Sequence, residues 1–209
     1  MSRITNHFIA ALLVAIEQHD AYTAGHSERV AHYACHIARQ MGMSAMSQRH
    51  LYIGGLLHDV GKLILPDYVL NKRGALTTEE WTIMKQHPTV GEKLLRKVYR
   101  HCPWINEEEQ QAVCDIVLSH HERLDGKGYP YGLRGEQIPT LSRILAVADA
   151  YDAMTSNRPY RSAMDSEQAL AILVEGAGSQ FWLPAVDAMQ VIIANPIQDI
   201  ERGESDHAS

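Results

Sequence analysis

Histidine and aspartate side chains recur in this sequence where an isolated polar group would be costly. His58 and Asp59 are adjacent at the end of one apolar run, and His120 and His121 are adjacent at the end of another. A buried carboxylate or imidazole needs a partner, and a metal ion is a partner that suits both. For any single histidine, a core position with a satisfied hydrogen bond is the commoner explanation.

Seven such groups occur at the inward edges of predicted helices, which makes independent explanations difficult. They are His26, His58, Asp59, His87, His120, His121 and Asp149. Imidazole and carboxylate together suit first-row metals such as iron, manganese, nickel or cobalt, and seven ligands are too many for one ion. We therefore predict two divalent ions ~3.5–4 Å apart, with one carboxylate bridging them.

Composition limits the class of protein. The 209 residues, 45% of them hydrophobic, suffice for one domain with a real core, and the net charge of −6 argues against binding a nucleic acid polymer. No apolar run approaches the ~18 residues that span a bilayer, so we expect no membrane insertion. The odd number of scattered cysteines, Cys35, Cys102 and Cys114, favours reduced thiols in a cytoplasm.

Apolar residues follow helical spacing almost throughout, as in 26–41, and no stretch shows sustained strand alternation. We predict an all-α fold of roughly seven to nine helices, judged from mean helix length. Gly61 is expected to end the helix that carries His58. Further helix starts are predicted near Thr77 (with Glu80, in a helix reaching His87), Asn106, Pro139 and Asp165. Residues 1–199 are expected to form the single domain, followed by a polar tail over 200–209.

One long segment, 122–139, lacks periodicity and is rich in Gly, Pro and Tyr. A loop of that length is usually functional or disordered, and its fixed turn residues favour a function. Glu122, Asp125 and Asp152 are expected either to orient histidines by accepting their ring N–H or to cap loops.

These motifs resemble those of the HD-GYP domains, bacterial members of the HD superfamily of metal-dependent phosphohydrolases. The resemblance covers about residues 10 to 190 and its motifs occur in family order. They are "YTAGHSERV" (22–30), "HDVGK" (58–62), "HPTVGEKLL" (87–95), "HHERLDGKGYP" (120–130) and "ADAYDAMTSNRPYR" (148–161). It implies a helical HD-type domain with a long GYP loop, a di- or trinuclear metal site, and cyclic di-GMP phosphodiesterase activity in bacterial second-messenger signalling.

The resemblance also implies residue roles. One ion would be held by His26, His58, Asp59 and Asp149, and the second by Asp59, as the bridge, with His87, His120 and His121. Lys62 matches a lysine beside the metals, and Tyr129 matches the GYP tyrosine that lines the pocket. Arg158 and Arg161 match positions that contact substrate phosphate and guanine.

Two positions depart from the family pattern. Tyr22 stands where members with three metals carry a glutamate, and a phenol with a pKa of ~10 cannot replace a carboxylate ligand at ordinary pH. We therefore predict two ions; nearby Glu17 and Asp20 are judged to be out of register for the same face. The family's "QFDP" reads "QFWL" at 180–183, a change expected to affect packing or a surface contact.

The expected reaction is in-line attack of a bridging hydroxide on the phosphodiester, with Asp59 and Lys62 as the catalytic residues. Lys62 would stabilise the developing charge or protonate the leaving 3′ oxygen; its alternative is an ordinary solvated lysine. The product would be linear pGpG, GMP, or both.

Two other functions remain open from the sequence. One is a metal-bound signalling module with weak catalysis that contacts partner proteins through the GYP loop. The other is an HD phosphohydrolase for another nucleotide, such as cyclic GMP-AMP.

Overall fold

Ten α-helices account for most of the chain in a computed structural model that describes residues 3–20, 25–157 and 162–195. The helices are α1 (Arg3–His19), α2 (His26–Gln40), α3 (Ala45–Leu57), α4 (Asp67–Leu70), α5 (Thr78–Met84), α6 (His87–Tyr99), α7 (Glu107–Ser119), α8 (Thr140–Thr155), α9 (Ser166–Glu175) and α10 (Leu183–Ala194). Two 3₁₀ helices cover Val60–Ile64 and Gly135–Gln137, and within these ranges pairing between extended segments is limited to isolated bridges. The all-α prediction is confirmed. Short α4 and α5 raise the count above the seven to nine expected from mean helix length.

Side chains expected to begin helices do so. The Thr77 hydroxyl accepts from the Glu80 amide while the Glu80 carboxylate accepts from the Thr77 amide, which forms a capping box. Asn106 Oδ1 accepts from the Glu109 amide at 2.8 Å before α7. Asp165 Oδ1 accepts from the Glu167 amide at 2.7 Å before α9. These contacts satisfy amides that the helices themselves leave unpaired.

Two hydrophobic clusters form the core and meet at α2 and α3. The first includes Val30, Ile37, Leu145, Leu173 and Met189, from α2, α8, α9 and α10. The second includes Ile16, Leu57, Leu95, Val113 and Val117, from α1, α3, α6 and α7. Three helices contribute to both clusters, because Leu51 of α3 and Ile116 of α7 also belong to the first and Ala31 of α2 to the second. The helix ends near their junction are therefore held from two sides.

The helix expected to run from Thr77 through His87 is interrupted, so that prediction was wrong in extent. Helix α5 ends at Met84, and α6 begins at His87 with Pro88 next. A continuous helix would drive the Pro88 ring against the carbonyl of Met84, four residues earlier. The break avoids that clash and leaves the Met84 carbonyl free to accept from His87 Nδ1 at 2.9 Å.

Gly61 does not end α3, contrary to the expectation. The helix already ends at Leu57, and Gly61 lies inside the 3₁₀ helix that follows. A Cβ added at Gly61 would come within 1.9 Å of the His87 carbonyl oxygen. The glycine therefore permits the chain around Asp59 to approach the start of α6.

The boundary between domain and tail stays a prediction, because residues 196–209 lie outside the described ranges. Among the helices that the structure describes, none combines the length and the apolar character needed to cross a bilayer.

Gly61→Ala tests the close approach of the 3₁₀ helix to α6. Because the added methyl meets backbone rather than a movable side chain, we expect a loss of roughly 1–3 kcal/mol in the free energy of unfolding, measured by urea denaturation. Met46→Ala, which truncates an exposed side chain of α3, should change it by no more than about 0.5 kcal/mol. Equal effects of the two substitutions would contradict the close contact.

Candidate metal centre

The candidate ligands are placed mainly by the ends of helices. His26 and His87 are the first residues of α2 and α6, whereas His58 and His120 directly follow α3 and α7. Asp149 projects from the interior of α8. Helix ends from different parts of the chain therefore bring these side chains to one place.

The side chains form two groups joined by Asp59. Ligand atoms of His26, His58 and Asp59 lie within 4.8 Å of one another, as do those of His87, His120 and His121. Asp59 Oδ2 is 3.4 Å from His58 Nε2, and Asp59 Oδ1 is 3.3 Å from His87 Nε2. One carboxylate thus presents an oxygen to each group.

Asp149 extends the first group. Its Oδ1 lies 3.3 Å from His26 Nε2 and 3.9 Å from His58 Nε2. All seven residues expected as ligands are consequently brought together.

Hydrogen bonds fix the orientation of three imidazoles in the same way. In each, Nδ1 contacts the backbone carbonyl three residues earlier: His58 with Gly55 at 2.7 Å, His87 with Met84 at 2.9 Å, and His120 with Val117 at 2.8 Å. A carbonyl only accepts, so Nδ1 carries the proton and Nε2 of the neutral ring presents a lone pair. This is the tautomer in which a histidine binds a metal through Nε2.

In the second group, nitrogen lone pairs face one another without a proton between them. His87 Nε2 and His120 Nε2 are 3.3 Å apart although each ring already donates from Nδ1. Burial, with neighbouring imidazoles adding to it, holds the pKa of His120 well below its usual value and lowers that of His121 to about 3. Neutral imidazoles that converge in this way fit a divalent cation, which relieves the lone-pair repulsion.

The carboxylates are held ionised. Burial opposes the charge on Asp59, but Lys62 and His58 outweigh it and keep the pKa of Asp59 well below its usual range. Burial opposes the charge on Asp149 too, yet His26 and His58 hold its pKa low. Asp59 and Asp149 therefore supply anionic oxygens and the second group supplies neutral nitrogens, a donor set that could hold metal ions.

Asp152 supports His26 from behind. Its Oδ2 accepts from His26 Nδ1 at 2.7 Å, and its Oδ1 accepts from Arg29 Nε at 2.6 Å. Burial lowers the pKa of His26, but the hydrogen bonds to Asp149 and Asp152 outweigh it and raise that pKa to about 9. The expected contact between Asp152 and a histidine ring is present.

Glu122 and Asp125 hold the loop rather than a histidine. The buried Glu122 carboxylate accepts from the amides of Tyr131 at 2.7 Å and Leu133 at 3.0 Å. Asp125 Oδ1 accepts from the amide of Lys127 at 3.0 Å. Of the two roles considered for these acids, loop capping is the one observed.

The GYP loop folds back onto the second histidine group. A Cβ on Gly128 would lie 2.4 Å from the amide nitrogen of Arg123, so only glycine permits this approach. The Tyr129 amide donates to the His121 carbonyl at 3.2 Å, and the two rings are 4.7 Å apart. Tyr129 therefore lies against His121 and lines the cavity in front of it.

Lys62 is an ion-pair partner within the site, not a solvated lysine. Its Nζ lies 2.8 Å from Asp59 Oδ2 and 2.9 Å from Asp20 Oδ2, and its side chain is 18% exposed. Burial lowers the pKa of Lys62, but Asp59 and then Asp20 outweigh it and raise that pKa. The ammonium charge is therefore fixed beside the candidate bridging carboxylate.

Asp20 was missed by the sequence reasoning, which placed it out of register. Helix α1 ends at His19, so helical register no longer applies at Asp20, and its carboxylate reaches the same cavity as His26. Its partner Lys62 is 42 residues away, which leaves no local signal for the pairing. Glu17 instead accepts from the Gly25 amide at 2.8 Å and supports the start of α2.

A cavity of about 370 Å³ opens in front of these groups and has two different sides. The polar side consists of Asp20, His26, Asp59, Lys62, His87, His121 and Asp149. The apolar side consists of Leu70, Leu76, Trp81, Met84, Tyr129 and Ala153, of which the sequence singled out Tyr129 alone. A volume of this size falls in the range of small-molecule sites.

The "QFWL" segment lies closer to the site than expected. Gln180 and Phe181 line a second cavity of about 120 Å³ together with His120, His121 and Asp149. The two departing positions face elsewhere: Trp182 packs under the Arg143 guanidinium at 4.6 Å, and Leu183 is exposed at the start of α10. The packing role expected for the changed residues agrees with these contacts.

Three residues weighed from the sequence lie outside the described ranges, namely Tyr22, Arg158 and Arg161. Their roles stay predictions.

A family model for the HD domain matches residues 11–182, a span that contains every candidate ligand. The chain belongs to the HD domain family. A cyclic di-GMP phosphodiesterase of Thermotoga maritima is 39% identical over 190 residues, which cover 91% of this chain and 50% of that protein. The cyclic di-GMP phosphodiesterase response regulator RpfG of Xanthomonas campestris is 42% identical over 181 residues, covering 87% of this chain and 46% of that protein.

A third relative bears a different substrate in its name. The 3'3'-cGAMP-specific phosphodiesterase 1 of Vibrio cholerae is 38% identical over 165 residues, covering 78% of this chain and 36% of that protein. This HD domain therefore spans about half or less of the length of these curated relatives.

Solved structures share the fold. A cyclic GMP-AMP phosphodiesterase of V. cholerae superposes with a TM-score of 0.68 at 20% identity, over 94% of this chain and 52% of that one. The HDG"Y"P protein Bd1817 of Bdellovibrio bacteriovorus gives 0.63 at 21% identity, over 81% and 51%. The recognition of this HD domain as an HD-GYP member is confirmed.

Asp152→Asn should weaken metal binding by about 10–100-fold, because the amide supports His26 less well and changes which nitrogen carries the proton. Titration of the metal-free HD domain with Mn²⁺ measures the change. Asp187→Asn, at an exposed position of α10, is the matched control and should bind as the unmodified chain does. Unchanged affinity in Asp152→Asn would show that His26 needs no support from this carboxylate.

Proposed function

We propose that this HD domain is a metal-dependent phosphodiesterase that hydrolyses cyclic dinucleotides, cyclic di-GMP first among them. The observation that carries the proposal is Asp59, whose two oxygens face two separate groups of histidines. That arrangement favours two divalent ions, iron or manganese in the first place and nickel or cobalt as alternatives.

His26, His58, Asp59 and Asp149 would hold one ion, and Asp59, His87, His120 and His121 the other. Bound there, the ions would supply Lewis-acid activation of water and neutralisation of phosphoryl charge. The hydrogen bonds from Nδ1 already fix the orientation of three of these imidazole rings. Metal binding would therefore need little further ordering of those side chains.

Lys62 contributes a fixed positive charge at the same place. Because Asp59 and Asp20 keep its pKa raised, the ammonium is poorly suited to give up a proton. Of its two expected roles, stabilising the phosphoryl oxygens is therefore favoured over protonating the leaving 3′ oxygen. Arg158 and Arg161 are proposed to grip phosphate or guanine, by resemblance alone.

The choice of substrate rests on the relatives. The two cyclic di-GMP phosphodiesterases described above and the 3'3'-cGAMP-specific phosphodiesterase 1 lie at similar identity to this chain, 38–42%. Cyclic GMP-AMP is therefore the alternative substrate, and the product is linear pGpG, GMP, or both.

The proposal also includes a protein partner and a cellular compartment. Tyr131, at the outer edge of the GYP loop, is 63% exposed, which suits contact with a signalling partner. The three cysteines are free thiols, as a reducing cytoplasm would keep them.

The proposal is tested by incubating the chain, reconstituted anaerobically with Fe²⁺ or with Mn²⁺, with cyclic di-GMP, 3'3'-cGAMP and a nucleoside monophosphate. We expect metal-dependent loss of one or both cyclic dinucleotides, with the products identified by chromatography. Hydrolysis of the monophosphate alone would replace the proposal with a phosphomonoesterase. Metal binding without any turnover would favour a signalling module.

Asp59→Ala should lower turnover by about a hundredfold or more, because it removes the carboxylate whose two oxygens face the two histidine groups. Asp187→Ala should leave the rate unchanged. Circular dichroism of both variants establishes that they are folded. A folded, metal-loaded Asp59→Ala variant that keeps substantial activity would contradict the two-metal mechanism.

Elemental analysis should find two tightly held metal ions per chain. Tyr22 replaces the carboxylate of trinuclear members, and Asp20, the acidic side chain beside it in sequence, is paired with Lys62. Three ions that survive dialysis would overturn the binuclear assignment and point to Asp20 as a ligand.

A further inference from the structure

The apolar side of the cavity has no part in the chemistry proposed for its polar side. Trp81 is 48% exposed there and belongs to neither hydrophobic cluster of the described residues. An indole that stabilises no core yet lines a ligand-sized cavity exposes apolar surface at a cost in water. Such surface inside a cavity is typical of ligand contact.

The position of Trp81 is fixed relative to the candidate ligands. Helix α5 is anchored at its start by the Thr77 capping box and by the Lys72–Glu80 ion pair. Its last carbonyl, at Met84, accepts from His87 Nδ1 at 2.9 Å. The helix that presents the indole therefore also orients a histidine of the second group, so one element positions both side chains.

A chain of contacts leads from the indole to the polar side. Lys85 Nζ lies 5.9 Å from the centre of the Trp81 ring and 5.8 Å from that of the Tyr129 ring. The Tyr129 ring lies 4.7 Å from that of His121. Two aromatic rings thus flank one cation at the edge of the cavity, and the inner ring touches a candidate ligand.

We propose that Trp81 binds a nucleobase of the cyclic dinucleotide by stacking. The inference rests on the proposed function: a phosphodiester held at the polar side leaves its ribose and base to extend across the cavity. The apolar side that they meet includes the half-exposed indole of Trp81, and Leu70 and Leu76 line the same cavity. A nucleobase is a flat apolar face with polar edges, which such a surface fits.

Stacking on Trp81 should increase the affinity for a nucleobase without distinguishing guanine from adenine. Every base has a π face, so an aromatic platform binds guanine and adenine alike. Trp81 should therefore contribute equally to the binding of cyclic di-GMP and of cyclic GMP-AMP. Selection between them would have to come from groups that read the edges of the base.

The kinetic test compares Trp81→Ala and Trp81→Phe with Trp104→Ala, a matched control at an exposed tryptophan that does not line the cavity. We expect Trp81→Ala to raise KM by about five- to tenfold for whichever dinucleotides the chain hydrolyses, and by the same factor for each. The kcat should change little, since the contact is as strong with substrate as with the transition state. Trp81→Phe, which keeps an aromatic face, should restore most of the affinity.

A binding test does not depend on turnover. The chain has three tryptophans, and GMP added to the Mn²⁺-loaded protein should quench their fluorescence through the ring it contacts. Trp81→Phe should remove most of that quenching, whereas Trp104→Phe should retain it. Quenching retained in Trp81→Phe would overturn the proposal, whether it comes from Trp104 or from Trp182.

The two tests separate this inference from the proposed function. If the unmodified chain hydrolyses a cyclic dinucleotide and Trp81→Ala leaves KM unchanged, the stacking role fails while the phosphodiesterase stands. If the unmodified chain hydrolyses none, but Trp81→Phe abolishes quenching by GMP, the function fails while the base contact stands. A change in KM for one dinucleotide alone would contradict sequence-tolerant stacking.

Discussion

Asp59 is a carboxylate buried in the protein interior. If its neighbours were all apolar, burying its charge would cost a large amount of free energy. It is 3% exposed, and positive or polar groups approach each of its oxygens: Lys62 and His58 at Oδ2, His87 at Oδ1. Removing a charge from water is unfavourable unless it is paired and hydrogen-bonded. The end of α3, the 3₁₀ helix that follows it and the start of α6 supply those partners.

The device that supplies them is the unpaired carbonyl at the end of a helix. The last carbonyls of an α-helix lack intrahelical partners. Three times here such a carbonyl accepts from the Nδ1 of a histidine three residues on: Gly55 with His58, Met84 with His87, and Val117 with His120. One contact satisfies the backbone, fixes the tautomer and directs the Nε2 lone pair inward. The interruption between α5 and α6 has the same consequence: Pro88 has no N–H to offer the Met84 carbonyl, so that carbonyl accepts from His87 Nδ1 instead.

The sequence could predict the helices and the grouping of the candidate ligands because both leave local signals. Periodic apolar residues and capping side chains such as Thr77 and Asn106 mark helices, and polar groups on apolar faces such as His58 mark the site. Local spacing could not locate Asp20, whose role depends on a lysine 42 residues away. Nor could it assign Gly61, which a contact with the backbone of α6 explains better than the end of a helix. What escaped prediction was contact between elements.

The two sides of the cavity differ in how they must be held. Ligands to a metal need accurate placement, and the candidate ligands come mainly from helix ends that two hydrophobic clusters support. The apolar side comes mainly from α4, α5 and the segment between them, where Leu70 is buried while Trp81 is exposed. The histidine bond to Met84 joins these sides through the backbone. A shift of α5 on binding would therefore also move the acceptor that orients His87, so the geometry of the polar side depends on the same helix that presents the indole.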